Sequence, residues 1–468
     1  TASNNTAVGF ESLVSNTTGT SNNAVGYDAL GANTTANQNN AFGRNALGSN
    51  TTGADNSAFG QNTLGANTTA SNNTAMGSDA LSANTTGTEN NAFGALAGDA
   101  ITTGSYNTLI GNSAGTALTT GDTNLAIGNA ALATATTTSG NVAIGHSALT
   151  ALTTGVQNVA VGTNAGDAIT TAGDTTLLGH EAGSKITTGV GNTFLGHRAG
   201  DDTTTGPNNT GVGLSALGAN TTGYSNTAVG KFALDASTTA NNNVAVGVSA
   251  LTTNTTGDSN TGIGLSALEA VSTGAANTAL GENAGASLST GSNNLFLGRH
   301  AGITGSPGGN ITTSSHIICL GDENITHIYA QVQSISSSDA RDKTDFTALD
   351  LGLNFVNKLE PVTYRWDKRS KYGDKTADDY NITDQTPDGT HKEDWLDVGF
   401  KAQDVEILEE EAGYKIADKT NLTTNLTEDG KQYGIQYSKF VPILVKAVQE
   451  LSAEIEKLKN TKCKCNEE

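Results

Sequence analysis

Basic residues are nearly missing from the first two thirds of the chain. Only 5 of the 24 Lys and Arg lie in residues 1–330, against 18 of the 45 Asp and Glu, which leaves that part at −13 and the remainder at −8. Surfaces of this sign repel phosphate backbones and anionic lipid, so no nucleic acid partner is expected. Aromatic residues make up 5% and all hydrophobic residues 35% of the 468, too little for one large packed globule. No run of about 18 apolar residues and no signal peptide occurs, so no membrane insertion is expected. The three cysteines exclude a disulfide framework. Cys319, in "HIICLG", reads as a buried small apolar residue, and Cys463 and Cys465 are too few for a zinc site within one chain, interchain pairing being the alternative. No P-loop, dinucleotide glycine pattern or Asp-rich calcium nonapeptide is present, so neither cofactor nor metal is expected.

What the chain has is repetition. A glycine preceded by an apolar residue returns every 17 residues, from Gly9, Gly26 and Gly43 through to Gly264, Gly281 and Gly298, eighteen times without an insertion. A typical unit, "NNAVGYDALGANTTANQ", separates short apolar pieces with Asn, Thr and Gly turn chemistry. Seventeen residues hold two short strands and two turns, and coils stacked at the ~4.8 Å strand spacing would span about 80 Å. Each coil offers three or four inward apolar side chains, mostly Ala, Val and Leu, so one column alone is thin and three chains together would supply the missing burial.

Two positions of the unit vary together. The residue four after the glycine is Leu in eleven coils and Gly in seven, and large residues stand two before it only at Leu109, Leu177, Phe194 and Phe296. Each has glycine at the later position of its own coil (Gly115, Gly183, Gly200, Gly302) and of the preceding one (Gly98, Gly166, Gly183, Gly285). Interiors tolerate little surplus volume, so these positions are expected to share one core, each large side chain filling the space the glycines leave.

Other columns have plainer readings beside sharper ones. The Thr pairs (Thr34-Thr35, Thr51-Thr52, Thr68-Thr69, Thr85-Thr86) read as turn residues bonding the backbone rather than as an array ordering ice or carbohydrate. The same turns create Asn-x-Thr sequons at Asn16, Asn33, Asn50, Asn67, Asn84, Asn220 and Asn254, which matter only in a secretory pathway. His180 and His197 share a column, with His146 two coils earlier, on what reads as a solvated face.

After Gly298 the period breaks at "GITGSPGGN", and "HIICLGDENITHIYAQV" reads as a strand pair closing the open end of the stack. "SSSDARDKTDF", 336–346, then opens a charged, aromatic region. "ALDLGLNFVNKLEPVTYRW" reads as a helix and, past Pro361, a strand; 368–394 as a loop or long hairpin; "VGFKAQDVEILEEEAG" as a strand or turn entering a helix. In "YGIQYSKFVPILVKAVQELSAEIEKLK", Tyr437, Val441, Leu444, Val448, Leu451, Ile455 and Leu458 alternate steps of four and three, a coiled-coil seam whose residue choice by itself suits two strands.

These four pieces in this order resemble the C-terminal intramolecular chaperone domain of endosialidase-type phage tail spikes, found also on other viral fibres and a few cellular proteins. The repeats resemble those of phage and algal-virus fibres and, more loosely, the β-roll heads of trimeric autotransporter adhesins. The resemblance implies a domain that trimerises, templates the fibre ahead of it and then cuts itself off before a serine. Matched to the family motif, that serine is Ser338, with Lys343 as its partner, Asp339 and Arg341 as supporting positions, Ser337–Ser338 as the bond cut, and Gly399 and Gln403 in the chaperone motif. Without the resemblance, Ser338 or Asp339 is simply the cap of a helix starting at Ala340. Asp342, next to the lysine, would favour its charged form.

The expected architecture is mostly β: a trimeric β-solenoid or β-roll shaft of 17-residue coils over 1–305, a cap and cleavage linker over 306–337, an α+β chaperone domain over 338–436, and a coiled-coil helix and tail over 437–468. The expected function is a viral tail-fibre or spike with a structural and host-recognition role. The resemblance implies that its chaperone is a single-turnover serine/lysine autoprotease, and no multiple-turnover activity is expected. The alternatives are a cellular or algal surface adhesin carrying the same domain, and a depolymerase spike with its catalytic domain upstream. The expected partners are two further copies in a homotrimer, a host cell-surface receptor of glycan type, and other virion proteins. The last would attach through an N-terminal region that the start at Thr1, partway through a repeat, leads one to expect. The place of action is the virion, after assembly in the host cytoplasm.

Overall fold

The computed structural model describes residues 2–325, 340–374 and 380–464. The chain divides into two units, one of Thr1–Phe296 with Ser315–Ile318, the other of Leu297–Ser314 with Cys319–Glu468.

In the first unit each repeat is one coil of a parallel β-solenoid. Strands β1 (Thr6–Val8) to β17 (Thr278–Leu280) are three residues long, and each pairs with its successor seventeen residues on, Ala7 with Ala24 and so on to Ile263 with Leu280. From β2 on, the middle residue of each strand points inward and is buried. The second strand expected in each coil is not formed in the described coils. In its place the chain bends through left-handed residues, Asp28 (φ 54) and Leu30 (φ 51) after Gly26, repeated in coil after coil. A left-handed leucine costs roughly 1–2 kcal/mol, and full burial of its side chain returns about 1.5–3, so the bend holds where leucine is completely covered, as Leu30 is. Glycine at the fixed point of the repeat is required twice over. Gly26 has φ 142, and a Cβ there would lie 2.3 Å from the carbonyl oxygen of Gly43.

The paired variation is a packing rule. Phe194 is fully buried, and a Cβ on Gly183 would come within 3.3 Å of its ring and one on Gly200 within 2.2 Å. Leu109 stands in the same relation to Gly98 and Gly115, at 2.5 and 2.9 Å.

Asparagine does more than turn chemistry. It stands four residues before the glycine in seventeen of eighteen coils, Thr175 being the exception, and forms a buried ladder. Asn107 is typical: its Nδ2 donates to the Gly121 carbonyl at 2.9 Å, and its Oδ1 accepts from the backbone N–H and the Nδ2 of Asn124 at 3.0 and 3.1 Å. Replacing it with alanine leaves buried groups unpaired, each at about 1–3 kcal/mol. Asn107→Ala should therefore lower the urea midpoint of the shaft clearly, whereas Asn129→Ala, at an exposed position, should leave it nearly unchanged. Of the sequons, Asn16, Asn33, Asn50, Asn67 and Asn84 form a second such ladder, while Asn220 and Asn254 donate to the carbonyls of Gly223 and Gly257. Asn33, Asn50, Asn67, Asn84, Asn220 and Asn254 are fully buried, with Asn67 Nδ2 on Asn50 Oδ1 at 2.9 Å, so the folded coil cannot present them for glycosylation. Where this ladder meets Ile101 in the next coil, Asn84 Oδ1 is left without a partner. The first threonine of each pair spends its hydroxyl on the next coil's backbone, Thr34 Oγ1 to the Thr51 carbonyl at 3.1 Å, while the second lies exposed.

The break after Gly298 is an insertion. Ser292 N–H donates to Ser315 Oγ at 2.9 Å and Ile317 N–H to Asn294 Oδ1 at 3.0 Å, an offset of 23 instead of 17. Strands β18 (Leu295–Leu297) and β19 (Ile318–Leu320) bracket it. Cys319 is buried as expected, and residues 326–332 of the expected closing pair lie outside the described residues.

The second unit contains helix α1 (Leu353–Val356), strands β20 (Val362–Tyr364) and β21 (Asp397–Gly399), helix α2 (Ala402–Glu411), strands β22 (Thr424–Leu426) and β23 (Tyr433–Ile435), and helix α3 (Phe440–Lys464). β20 pairs antiparallel with β21 and β22 with β23. Leu351, Phe355, Val405, Phe440 and Ile443 form the core.

Candidate assembly and processing site

Three of the residues expected at the cleavage point, Ser337, Ser338 and Asp339, lie outside the described residues. The described chain resumes in a single 3-10 turn, Ala340–Asp342, closed by the Lys343 N–H on the Ala340 carbonyl at 3.3 Å. Arg341 and Lys343 are both exposed in the single chain. The helix expected to start at Ala340 is therefore only one turn long.

The chaperone-motif residues sit where the hairpin of β20 and β21 enters α2. Gly399 ends β21 opposite Val362, and a Cβ there would fall 2.2 Å from the Tyr437 hydroxyl. That hydroxyl accepts from the Phe400 N–H at 3.1 Å. Only glycine lets the two segments approach this closely, which explains the residue at 399. Gln403, exposed in the first turn of α2, lines a cavity of about 980 Å³ together with Tyr364, Trp366, Trp395, Phe400 and Tyr437.

Three carboxylates pin the unit together, Glu409 buried and Glu428 and Glu450 partly exposed. Glu409 of α2 accepts from Thr423 N–H and Oγ1 at 2.6 and 2.8 Å and from both groups of Thr424, tying the helix to β22. Glu450 of α3 accepts from Leu353 N–H at 2.7 Å and caps α1. Glu428, between β22 and β23, holds Thr313 N–H at 2.8 Å and the hydroxyls of Thr312, Thr313 and Ser314. Burial pushes its carboxyl up, but the hydrogen bonds from Ser314, Thr313 and Thr312 outweigh this and hold it at about 2, against an ordinary 4.5. A carboxyl lowered in this way stabilises the folded unit fully above pH 4.5 and loses that contribution as pH falls toward 2. In urea unfolding followed from pH 5 to pH 2, Glu428→Gln should flatten the acid loss of stability of the C-terminal unit. Sequence reading missed all three glutamates. Nothing in the run Glu409-Glu410-Glu411 marks its first member as the buried one, and the partners of Glu428 lie more than a hundred residues away.

α3 buries Phe440, Ile443 and Ala447 and leaves the opposite side bare. Val441, Leu444, Val448, Leu451, Ile455 and Leu458, the residues of the 4-3 pattern, are 44–65% exposed, as is Tyr437 in the 3-10 turn that precedes the helix. A continuous apolar stripe of this length is uncommon on the surface of a monomeric protein.

Residues 338–414 match the family model described as Chaperone of endosialidase. No curated protein matches the chain. The matched segment runs from the expected cleavage serine through the hairpin and α2 and stops short of β22, β23 and α3. It supports a C-terminal chaperone role in a fibre or spike protein.

Proposed function

We propose that the chain is a viral tail-fibre or spike protein of phage type, that three copies assemble through the C-terminal unit, and that the chaperone is released by cleavage before Ser338. The observation that carries this reading is the position of the matched segment. It lies directly behind seventeen paired coils that have no unique alignment, since a shift of 17 residues pairs nearly equivalent coils. A device that brings three chains together at one end sets the register once, and the coils then zip away from it. The bare stripe of α3 is the surface through which the copies would join.

In the cleavage reaction Ser338 Oγ attacks the carbonyl carbon of Ser337. The Ser337–Ser338 peptide bond breaks, the freed amine of Ser338 takes a proton, and an ester remains on Oγ. Water hydrolyses the ester, leaving the Ser337 carboxylate and restoring the hydroxyl. Lys343 acts as the base for the attack, with Asp339 and Arg341 supporting it. A lysine serves as a base only when neutral, which takes burial, and Lys343 is exposed in the single chain. The burial therefore comes from neighbouring copies, so that cleavage follows assembly. The shaft left on the virion meets a host surface glycan.

Intact wild-type protein should give a shaft ending at Ser337 and a fragment starting at Ser338 by mass spectrometry, and Ser338→Ala should stay whole. Wild-type chains that assemble but remain uncut would remove the processing step, and a monomer by native mass spectrometry would remove the trimeric chaperone. Binding of the cleaved trimer on a glycan array tests the receptor class.

A further inference from the structure

The residue just before each fixed glycine is a large apolar one in all eighteen coils, from Val8, Val25, Phe42, Phe59 and Met76 on to Leu280 and Leu297. It does not belong to the chain's own core. The residue before it points inward and is buried from Ala24 on, whereas this one is turned outward: Val8, Met76, Leu178 and Leu280 are 46–57% exposed. The exposed column on the other side of the glycine is mixed, with Phe10, Arg44, Gln61, Asn112, Lys231 and Glu282 all occurring in it. Free choice at one exposed column and none at its neighbour means that a contact selects the second.

We infer that this column is the face by which the shafts of separate copies of this chain pack together, side by side and parallel. The inference rests on the oligomer reading above and names the surface that reading leaves open. Three features identify the occupant as the same column of another copy. First, the spacing is that of the coil, ~4.8 Å, and a partner able to meet an apolar side chain at every step must share that period. Second, no charged residue enters the column in a part of the chain that carries −13, so strongly acidic copies approach along it without bringing like charges together. Third, about 80 Å of length and ~10 Å of width give roughly 800 Å² per chain, the area each partner contributes to a stable interface. Along the column neighbours already stack, Phe42 on Phe59 with ring centres 5.0 Å apart, so the face is continuous before a partner meets it.

Cysteine cross-linking in the full chain tests this, with Cys463→Ser and Cys465→Ser removing the tail thiols and Cys319 left in place because it is buried. Leu178→Cys puts a thiol in the apolar column. Thr188→Cys puts one in the exposed threonine column of the same coil. Under mild oxidation the Leu178→Cys protein should form disulfide-linked dimers holding up to about two thirds of the chains, since one bond can join two chains of three, and the Thr188→Cys protein should form none. Circular dichroism checks that both variants keep the β-rich fold. Native mass spectrometry separates the two readings. An assembled oligomer that cross-links at neither position, at both, or only at Thr188→Cys overturns this face while the oligomer stands. A monomer overturns both.

Discussion

Gly200→Leu should unfold the shaft at a markedly lower denaturant concentration, although leucine is the commonest residue at that position of the repeat. The backbone is not the obstacle. Gly200 has φ 61, and the eleven leucines of the same column sit at φ 49–57. The obstacle is Phe194, whose ring carbons would lie 2.2–2.4 Å from the new Cβ before the rest of the leucine is placed. Overpacking of this kind costs about 1–3 kcal/mol, and Phe194→Ala, which empties a fully buried site, costs about 3–5. Together the two changes recreate the alanine and leucine of an ordinary coil. The double variant should be far more stable than the sum of the single losses predicts, a coupling that urea denaturation in a double-mutant cycle reads directly. Additive losses would mean that the two positions do not share a space.

Synthesis of 1–337 without the C-terminal residues should give little soluble native shaft. The sixteen pairings from β1 to β17 make the coils nearly identical, so copies laid side by side fit almost as well when displaced by one coil as when level, and each open end offers unpaired strand edges to any other chain. The same shaft, folded with 338–468 attached and separated afterwards, should stay soluble and resist heat. The soluble yield of the short chain against the pre-assembled one measures the difference, which should exceed tenfold. Equal yields would take away the reason for the chaperone.

The glycine period, the coil length and the exchange of volume between Phe194 and its glycines could be read from the sequence, because a repeat compares each position with itself eighteen times. The same comparison shows an asparagine four residues before the glycine, but turn chemistry accounts for it as well as a ladder does. An amide such as Asn107 bonds its own turn or the next coil equally well, and only the path of the backbone decides. The single strand per coil was hidden for a related reason. Nothing about Leu217 or Leu234 announces a left-handed backbone, which depends on the burial the completed stack provides. The insertion before β19 was concealed by the glycines of "GITGSPGGN", although "CLG" at 319–321 restores the repeat after it. In the C-terminal unit the seam of α3 was legible from spacing alone, and the match over 338–414 supports the resemblance its motifs carried. Gly399 was chosen on that motif, and its reason, the Tyr437 hydroxyl, lies 38 residues along the chain.

The uniformity of the coils also has a mechanical side. Each coil is joined to the next by the same short parallel pairing, and these joints lie in series along the stack. A pull on the two ends of one chain loads every joint equally and opens them one at a time, beginning at a free end where a coil has only one neighbour. Each opening releases seventeen residues, about 60 Å of extended chain, in exchange for one ~5 Å step of the stack. A shaft built in this way lengthens roughly tenfold before it breaks, yielding in equal increments where a single cooperative globule would fail at once.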